Sequence, residues 1–252
     1  MLRKLRVHIA PYGYETTRVS YPLIHLGADR VYLIGYNGND SAKKYHDEIR
    51  KELAKHPGVQ VVEDFVNMWD LYACIEKFRS IVKKESGNNI YVNVSTGSKI
   101  TAMAGLLTCM IWNGVAQPYY VHVSDYRVIS ETIRADQEIS PLPVYGMKKP
   151  RSEELAVLQT LYENNGLRKW RLIEILEDKG IIKQKAGSSR RAQPKEFTLA
   201  AKHSQLRAIL DPMRMAEYIQ IKGSGKTSEV SLSDQGKGAL RIFGGPEPEG
   251  GS

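Results

Sequence analysis

NIYVNVSTGSK, residues 89–99, places a strand against the start of a helix with only small polar residues between them. Asn89–Val94 is rich in β-branched and aromatic residues, the composition of a buried strand. An apolar run from about Ile100 to Trp112 follows at helical length. A strand passing into a helix through Ser95-Thr96-Gly97-Ser98-Lys99 is one unit of a parallel α/β sheet. The small residues let a ligand approach the backbone, and a helix N-terminus presents unpaired N–H groups with a partial positive charge. Ser95, Thr96 and Ser98 add hydroxyls and Lys99 adds a cation, a set that suits a phosphate or a nucleotide. The segment is neither a GxxxxGK[ST] loop nor GxGxxG. The same residues also suit a plain strand-to-helix turn with Ser98 as its cap.

Upstream, the signals repeat. Leu5–Ala10, Arg30–Gly35 and Val59–Val62 read as strands. Between them fall a short helix over Arg18–Leu26 and one from Asp40 or Ser41 to about Lys55, with Tyr45, Ile49 and Leu53 on one face. A third helix begins at Asn67 or Asp70 and runs to about Lys84, with Leu71, Ile75, Phe78 and Val82 at helical spacing. Downstream, Pro118–Val123 and Val128–Arg134 read as two strands joined by a Ser124-Asp125 turn. This alternation predicts an α/β, Rossmann-like domain with a mostly parallel sheet. Ligands of such sheets bind beyond the strands' carboxyl ends. Loops 11–18, 36–39 and 95–99 all lie there, which makes them candidates for one shared site. In the first of them, Tyr12 and Tyr14 offer rings to stack on bases, Gly13 a close approach, and Arg18 a phosphate partner.

The chain of 252 residues is long for one domain and natural for two. PLPVYGMKKP, residues 141–150, breaks both helix and strand and reads as a linker. The expected division is 1–142 for the sensing domain, 143–151 for the linker, 152–244 for a second domain, and 245–252 for a disordered tail. Charge divides with it. Residues 1–147 hold 17 Lys and Arg against 15 Asp and Glu, while residues 148–252 hold 19 against 13. A basic C-terminal half attracts a polyanion by counterion release, although a basic domain without that role has the same composition. The longest apolar stretch is far short of the ~20 residues of a membrane span, and no secretory leader is visible, so a cytoplasmic protein with no membrane association is expected. Cys74 and Cys109 sit in apolar helical patterns as buried free thiols. No His/Cys cluster has metal-ligand spacing, so neither a metal nor a cofactor is expected.

In the second half, Glu153–Asn164 is amphipathic, with Leu155, Leu158, Leu161 and Tyr162 on its apolar face, Ser152 as N-cap and Asn165-Gly166 as its stop. Arg168–Lys179 is a second helix with Leu172, Ile175 and Leu176 inward. Residues 183–195 are basic and loop-like. Thr198–Met215 is a third helix, with a break suggested at Asp211-Pro212. Tyr218–Lys222 and Ser228–Leu232 form a hairpin across Gly223-Ser224-Gly225-Lys226, and Ser233 caps a last helix to about Phe243. This order is that of a winged helix-turn-helix. Thr198–Leu210 would be its recognition helix, offering Lys202, His203, Gln205 and Arg207; Lys226 would be the wing tip; Arg190, Arg191 and Lys195 would reach phosphates of double-stranded DNA. A small domain for protein contacts or dimerisation is the competing reading.

Other polar and aromatic residues have structural readings. His8 and His122 lie on strands and His25 near a helix end; Trp69 and Trp170 read as packing aromatics, and Asp70 as a helix cap.

HIAPYGYETTRVSYPLI (residues 8–24), ADRVYLIG (28–35) and VNVSTGSKITAMAG (92–105), followed by a winged helix-turn-helix, resemble the archaeal CARF-domain regulators associated with CRISPR systems. The segment after the fourth strand is similar to that family's Asn-x-Thr-Gly-Gly-Thr-Lys-like motif, with serine here where the family often has glycine or threonine. The resemblance implies a homodimer whose two CARF domains share one pocket for cyclic oligoadenylate, such as the tetra-adenylate. It implies that Gly13, Tyr14, Arg18, Asn37, Thr96, Gly97, Ser98 and Lys99 line that pocket, and that ligand changes the spacing of the two winged helices.

Three functions compete at this stage: a sensor that regulates transcription in antiviral defence without catalysis, a metal-independent ring nuclease, and a nucleotide-binding adaptor whose small domain binds protein. In the ring nuclease, Lys99 or Arg18 would stabilise charge while Ser95 or Ser98 positions the phosphate.

Overall fold

The structure, a computed structural model, describes residues 3–38, 41–123, 137–182 and 199–244. The chain divides between Lys148 and Lys149 into two compact units.

The N-terminal unit runs β1 (Arg6–Pro11), α1 (Thr17–His25), β2 (Arg30–Tyr36), α2 (Lys43–Ala54), β3 (Gln60–Val66), α3 (Leu71–Lys84), β4 (Asn89–Asn93), α4 (Lys99–Ile111), β5 (Ala116–Val123) and β6 (Gln137–Pro141). Its sheet has the order β3-β2-β1-β4-β5-β6. β1 to β5 are parallel and β6 is antiparallel to β5, as the alternation of elements leads one to expect. Val7, Ile9, Val31, Leu33, Ile34 and Val92 are fully buried, because helices cover both faces of the central strands. The chain steps from β1 to β2 to β3, returns to β4 on the other side of β1, and steps on to β5. Right-handed crossovers then put α1 and α2 on one face and α3 and α4 on the other. The contacts agree: α1 packs on α2, and α3 on α4. The strand order therefore reverses between β1 and β4, the position where doubly wound sheets open a crevice.

Three local expectations change. β3 continues to Val66 rather than stopping at Val62. Its charged residues look like a turn in sequence, but β3 is an edge strand, where charge is tolerated. Asp64 pairs with Lys77 at 2.6 Å and Glu63 with Arg50 at 2.7 Å. The antiparallel strand lies at Gln137–Pro141, a stretch whose proline suggested a linker; Pro141 stands at the strand's end, where its missing N–H costs the ladder little. Ala42, and neither Asp40 nor Ser41, precedes α2. The strand and turn expected over 124–134, and Asp40 itself, lie outside the described residues.

The C-terminal unit runs α5 (Ser152–Asn164), β7 (Leu167–Arg168), α6 (Lys169–Asp178), α7 (Leu199–Met215), β8 (Ile219–Lys222), β9 (Glu229–Leu232) and α8 (Asp234–Phe243). β7, β9 and β8 make a three-stranded antiparallel sheet. Val157, Leu158, Leu161, Leu172, Leu176, Leu206, Leu210, Met213 and Val230 form its core. On α5, Leu158 and Leu161 are buried and Leu155 packs on the core as expected, while Val157 is buried in place of Tyr162, which is 62% exposed. On α6, Ile173 rather than Ile175 is buried. Arg151 rather than Ser152 caps α5, its amide donating to Glu154 Oε2 at 2.8 Å. Asn165, with φ of 51°, closes the same helix. Pro212 does not break α7. The carbonyl of Ala208, four residues back and left without its helical donor, accepts from Arg151 Nη2 at 3.5 Å.

Candidate functional site

At the carboxyl edge of the N-terminal sheet, the β1 and β4 loops are tied to one another by their own polar atoms. Thr96 Oγ1 donates to the Pro11 carbonyl at 2.6 Å. Asn93 is fully buried at the end of β4; its Nδ2 donates to the Arg18 carbonyl at 2.9 Å, and its Oδ1 accepts the Ser95 amide at 2.9 Å. Ser95 Oγ accepts the Val121 amide at 2.6 Å. Ser98 Oγ accepts the Thr101 amide at 3.1 Å, capping α4, and donates to the Met68 carbonyl at 2.7 Å. Gly97 has φ of +79°, and a Cβ there would stand 2.8 Å from Pro11 Cβ and 2.6 Å from Thr101 Oγ1. Across from it, a Cβ on Gly13 would lie 3.5 Å from Gly97 Cα. Two stretches of bare backbone thus face each other where the strand order reverses.

This geometry sorts the residues that the sequence offered as ligand contacts. Thr96 is 4% exposed and Tyr12 is 6% exposed. Tyr12 packs its ring on His46 at 5.0 Å and belongs to the core. The hydroxyls of Ser95, Thr96 and Ser98 hold the loops, those of Thr96 and Ser98 by donating to carbonyls and that of Ser95 by accepting an amide. Arg18 is buried as well: Nε donates to the Val121 carbonyl at 3.0 Å, Nη1 pairs with Glu15 at 3.1 Å, and the guanidinium lies 5.1 Å from the centre of the Tyr120 ring. Its Nη2 is buried without a hydrogen-bond partner. Gly13, Tyr14, Asn37, Gly97 and Lys99 remain at the surface of the edge. The Tyr14 hydroxyl is 2.9 Å from Ser41 Oγ, and its ring meets Tyr45 edge-on at 5.7 Å. Lys99 is the first residue of α4, exposed, and makes no ion pair among the described residues. The amides of Lys99 and Ile100 precede the first helical hydrogen bond, so an exposed cation and unpaired donors converge on one point. That set suits an anion.

Sequence reasoning missed two parts of this edge. Asn93 opens the Asn-x-Ser-Thr-Gly-Ser-Lys segment but has no role assigned to it from the sequence, yet its side chain pins both loops. The β3–α3 loop, Asn67–Asp70, joins the site through Met68, and Trp69 is 69% exposed rather than packed. Its position at a strand's carboxyl end was the available signal. Asp70 caps α3 as expected, accepting the amides of Tyr72 and Ala73 at 2.9 and 3.1 Å.

In the C-terminal unit, α7 presents Arg207 outward, 3.2 Å from Asp211 in an exposed pair. Lys202 is half-buried against Glu177 of α6 at 2.6 Å, an ion pair that links the two helices. His203 Nε2 is buried without a hydrogen-bond partner, and Gln205 is half-buried. A concavity of about 540 Å³ lies between α7 and the β8–β9 hairpin, with Lys169, Arg207 and Arg214 on its rim. Lys169 and Arg214 are basic residues that the sequence reading did not single out. Arg190, Arg191, Lys195 and the basic loop 183–195 lie outside the described residues, as does the side chain of Lys226. No helix among the described residues is long and apolar enough to cross a membrane.

Comparison with known proteins reaches both units. The uncharacterized protein MJ1513 of Methanocaldococcus jannaschii is 36% identical over 133 residues, a match covering 48% of this chain and 39% of that one. The chain thus spans well under half the length of that relative. Among solved structures, Csm6 of Enterococcus italicus bound to cyclic hexa-2'-fluoro-hexa-dAMP aligns with a TM-score of 0.48 at 11% identity, over 86% of this chain and 57% of its own. Can2 of Sulfobacillus thermosulfidooxidans in complex with cyclic tetra-adenylate aligns with a TM-score of 0.40 at 15% identity, over 95% and 64%. Residues 6–126 match the family model described as HFX_2341_N-like, N-terminal, and residues 153–244 match the DUF6293 C-terminal winged helix domain.

Proposed function

We propose that this chain is a cytoplasmic, ligand-controlled transcription regulator of CRISPR-linked defence. Residues 1–142 sense a cyclic oligoadenylate, 143–151 link, and 152–244 bind double-stranded DNA through the winged helix. The apposition of Gly13 and Gly97 at the switch point, beside the exposed ammonium of Lys99 and the unpaired amides opening α4, carries the reading. Bare backbone admits a sugar-phosphate chain closely, and the helix start and Lys99 neutralise its charge. The sequence resemblance adds the cyclic ligand and a homodimer in which two such edges share one ring. The winged helix domain and the basic C-terminal half support DNA as the partner.

The test is incubation of the full chain with cyclic oligoadenylates of several ring sizes, the tetra-adenylate first, following binding by calorimetry and products by chromatography. Binding without turnover, weakened at least tenfold in Lys99→Ala, is expected. Turnover abolished in Lys99→Ala would replace the sensor by the ring nuclease. Absence of binding to every ring would remove the ligand assignment and leave the adaptor reading.

A further inference from the structure

We infer that Trp69 is a nucleobase-stacking residue, so that the ligand site reaches past the switch-point loops onto the β3–α3 loop. Among the chain's three tryptophans, Trp112 is buried and Trp69 is the most exposed, at 69%. An indole left in water forgoes the burial that ordinarily places tryptophan, so its position calls for a partner.

The backbone under the ring is held from both sides. The Trp69 amide donates to Asn67 Oδ1 at 3.1 Å, and the Asp70 amide to the Asn67 carbonyl at 3.1 Å. Asp70 then caps α3. On the other side, Met68 is 5% exposed, its carbonyl accepts Ser98 Oγ at 2.7 Å, and its Cε lies 3.1 Å from where a Cβ on Gly97 would stand. The loop therefore has little freedom, and a ring fixed in advance loses little entropy on binding.

Its neighbours supply the rest of a nucleotide's complement. α3 and α4 pack side by side and both begin at this edge, Trp69 just before the first and Lys99 opening the second. Beyond Gly97 comes Gly13, and directly after Gly13 comes Tyr14, 57% exposed and held by Ser41. Two exposed aromatic residues thus sit on the loops that carry a pair of bare glycines, with an exposed lysine opening the next helix. Aromatic faces take bases and the cation takes the phosphate between them. The ligand class is an oligonucleotide, with Trp69 stacking on one of its bases.

This inference rests on the proposed ligand, and its test separates the two. Calorimetry with cyclic tetra- and hexa-adenylate compares the full-length protein with Trp69→Ala and Trp69→Phe. In parallel, iodide quenching is followed in Trp170→Phe protein, where the remaining exposed indole is Trp69. Expected are an unchanged melting temperature in Trp69→Ala, affinity weaker by roughly ten- to hundredfold, recovery of most of it in Trp69→Phe, and loss of iodide access when ligand is added. Unchanged affinity in Trp69→Ala with undiminished iodide access in the complex would overturn the stacking role while leaving the ligand assignment in place. No binding by the unmutated protein would bring down both.

Discussion

His8 stands at the middle of β1 with no exposure, stacked on Tyr91 at 5.0 Å and edge-on to Tyr119 at 5.6 Å. Nδ1 lies 3.3 Å from the Tyr119 hydroxyl, while Nε2 is buried without a partner. Burial first, and the positive charge of Arg6 second, push its pKa from the usual 6.5 down to about 4. The folded protein keeps the ring neutral in a range where the unfolded chain takes up a proton. The stability linked to His8 is therefore fully present above pH 6.5 and declines as pH falls toward about 4, where the folded state protonates too. The linked loss amounts to about 3 kcal/mol. Melting temperature measured from pH 7 to pH 4.5 should fall more steeply for the unmutated protein than for His8→Gln; parallel curves would show that His8 does not set the acid limit. Arg18 makes the related point for function. A buried guanidinium joined to Glu15, the Val121 carbonyl and Tyr120 braces the first loop against β5, with only its Nη2 left unpartnered.

At the scale of elements, the βα loops are rigid by construction. Each small polar residue after β4 has a partner in a different element: Thr96 in β1, Ser95 in β5, and Ser98 in the loop before α3. Glycine is required at position 97 by both its left-handed φ and its crowding. Gly97→Ala should lower stability by about 1–3 kcal/mol and weaken ligand binding, because relieving the clash with Pro11 separates the two loops. Denaturant titration and calorimetry on the same preparation check both; a variant as stable as the parent would mean that the loops yield without loss. In the C-terminal unit, α7 runs on through Pro212, and the carbonyl this frees on Ala208 lies at the exposed surface, 3.5 Å from Arg151 Nη2.

At the scale of the molecule, two compact units with different chemistry make regulation a question of coupling. If the sensing edge and the winged helix communicate, cyclic tetra-adenylate must change DNA affinity by some factor, and DNA must change ligand affinity by the same factor. Titrating each partner with and without the other should give equal ratios different from one, typically about 5- to 150-fold. Ratios of one in both directions would leave two independent binding domains and no regulator. If the winged helix binds DNA, its affinity should fall steeply with salt, since a basic domain attracts a polyanion electrostatically.

The alternation of apolar strands with periodic helices made the doubly wound sheet legible in the sequence, because burial on both faces leaves a continuous hydrophobic signature in each central strand. The order of three helices, a hairpin and a last helix in the second unit was legible from helical periodicity and turn residues, though the two-residue β7 was not, and small residues between β4 and α4 marked the edge where a ligand would sit. Tertiary structure alone decided which polar groups at that edge remain free. Serine and threonine hydroxyls have the same composition whether they face a phosphate or a neighbouring carbonyl, and here the partners of Ser95, Thr96 and Ser98 come from residues 26, 85 and 30 positions away. The exposure of Trp69 and the burial of Tyr12 and Arg18 were hidden likewise. Whether a side chain is covered depends on contacts distant in sequence, and local periodicity carries no record of them.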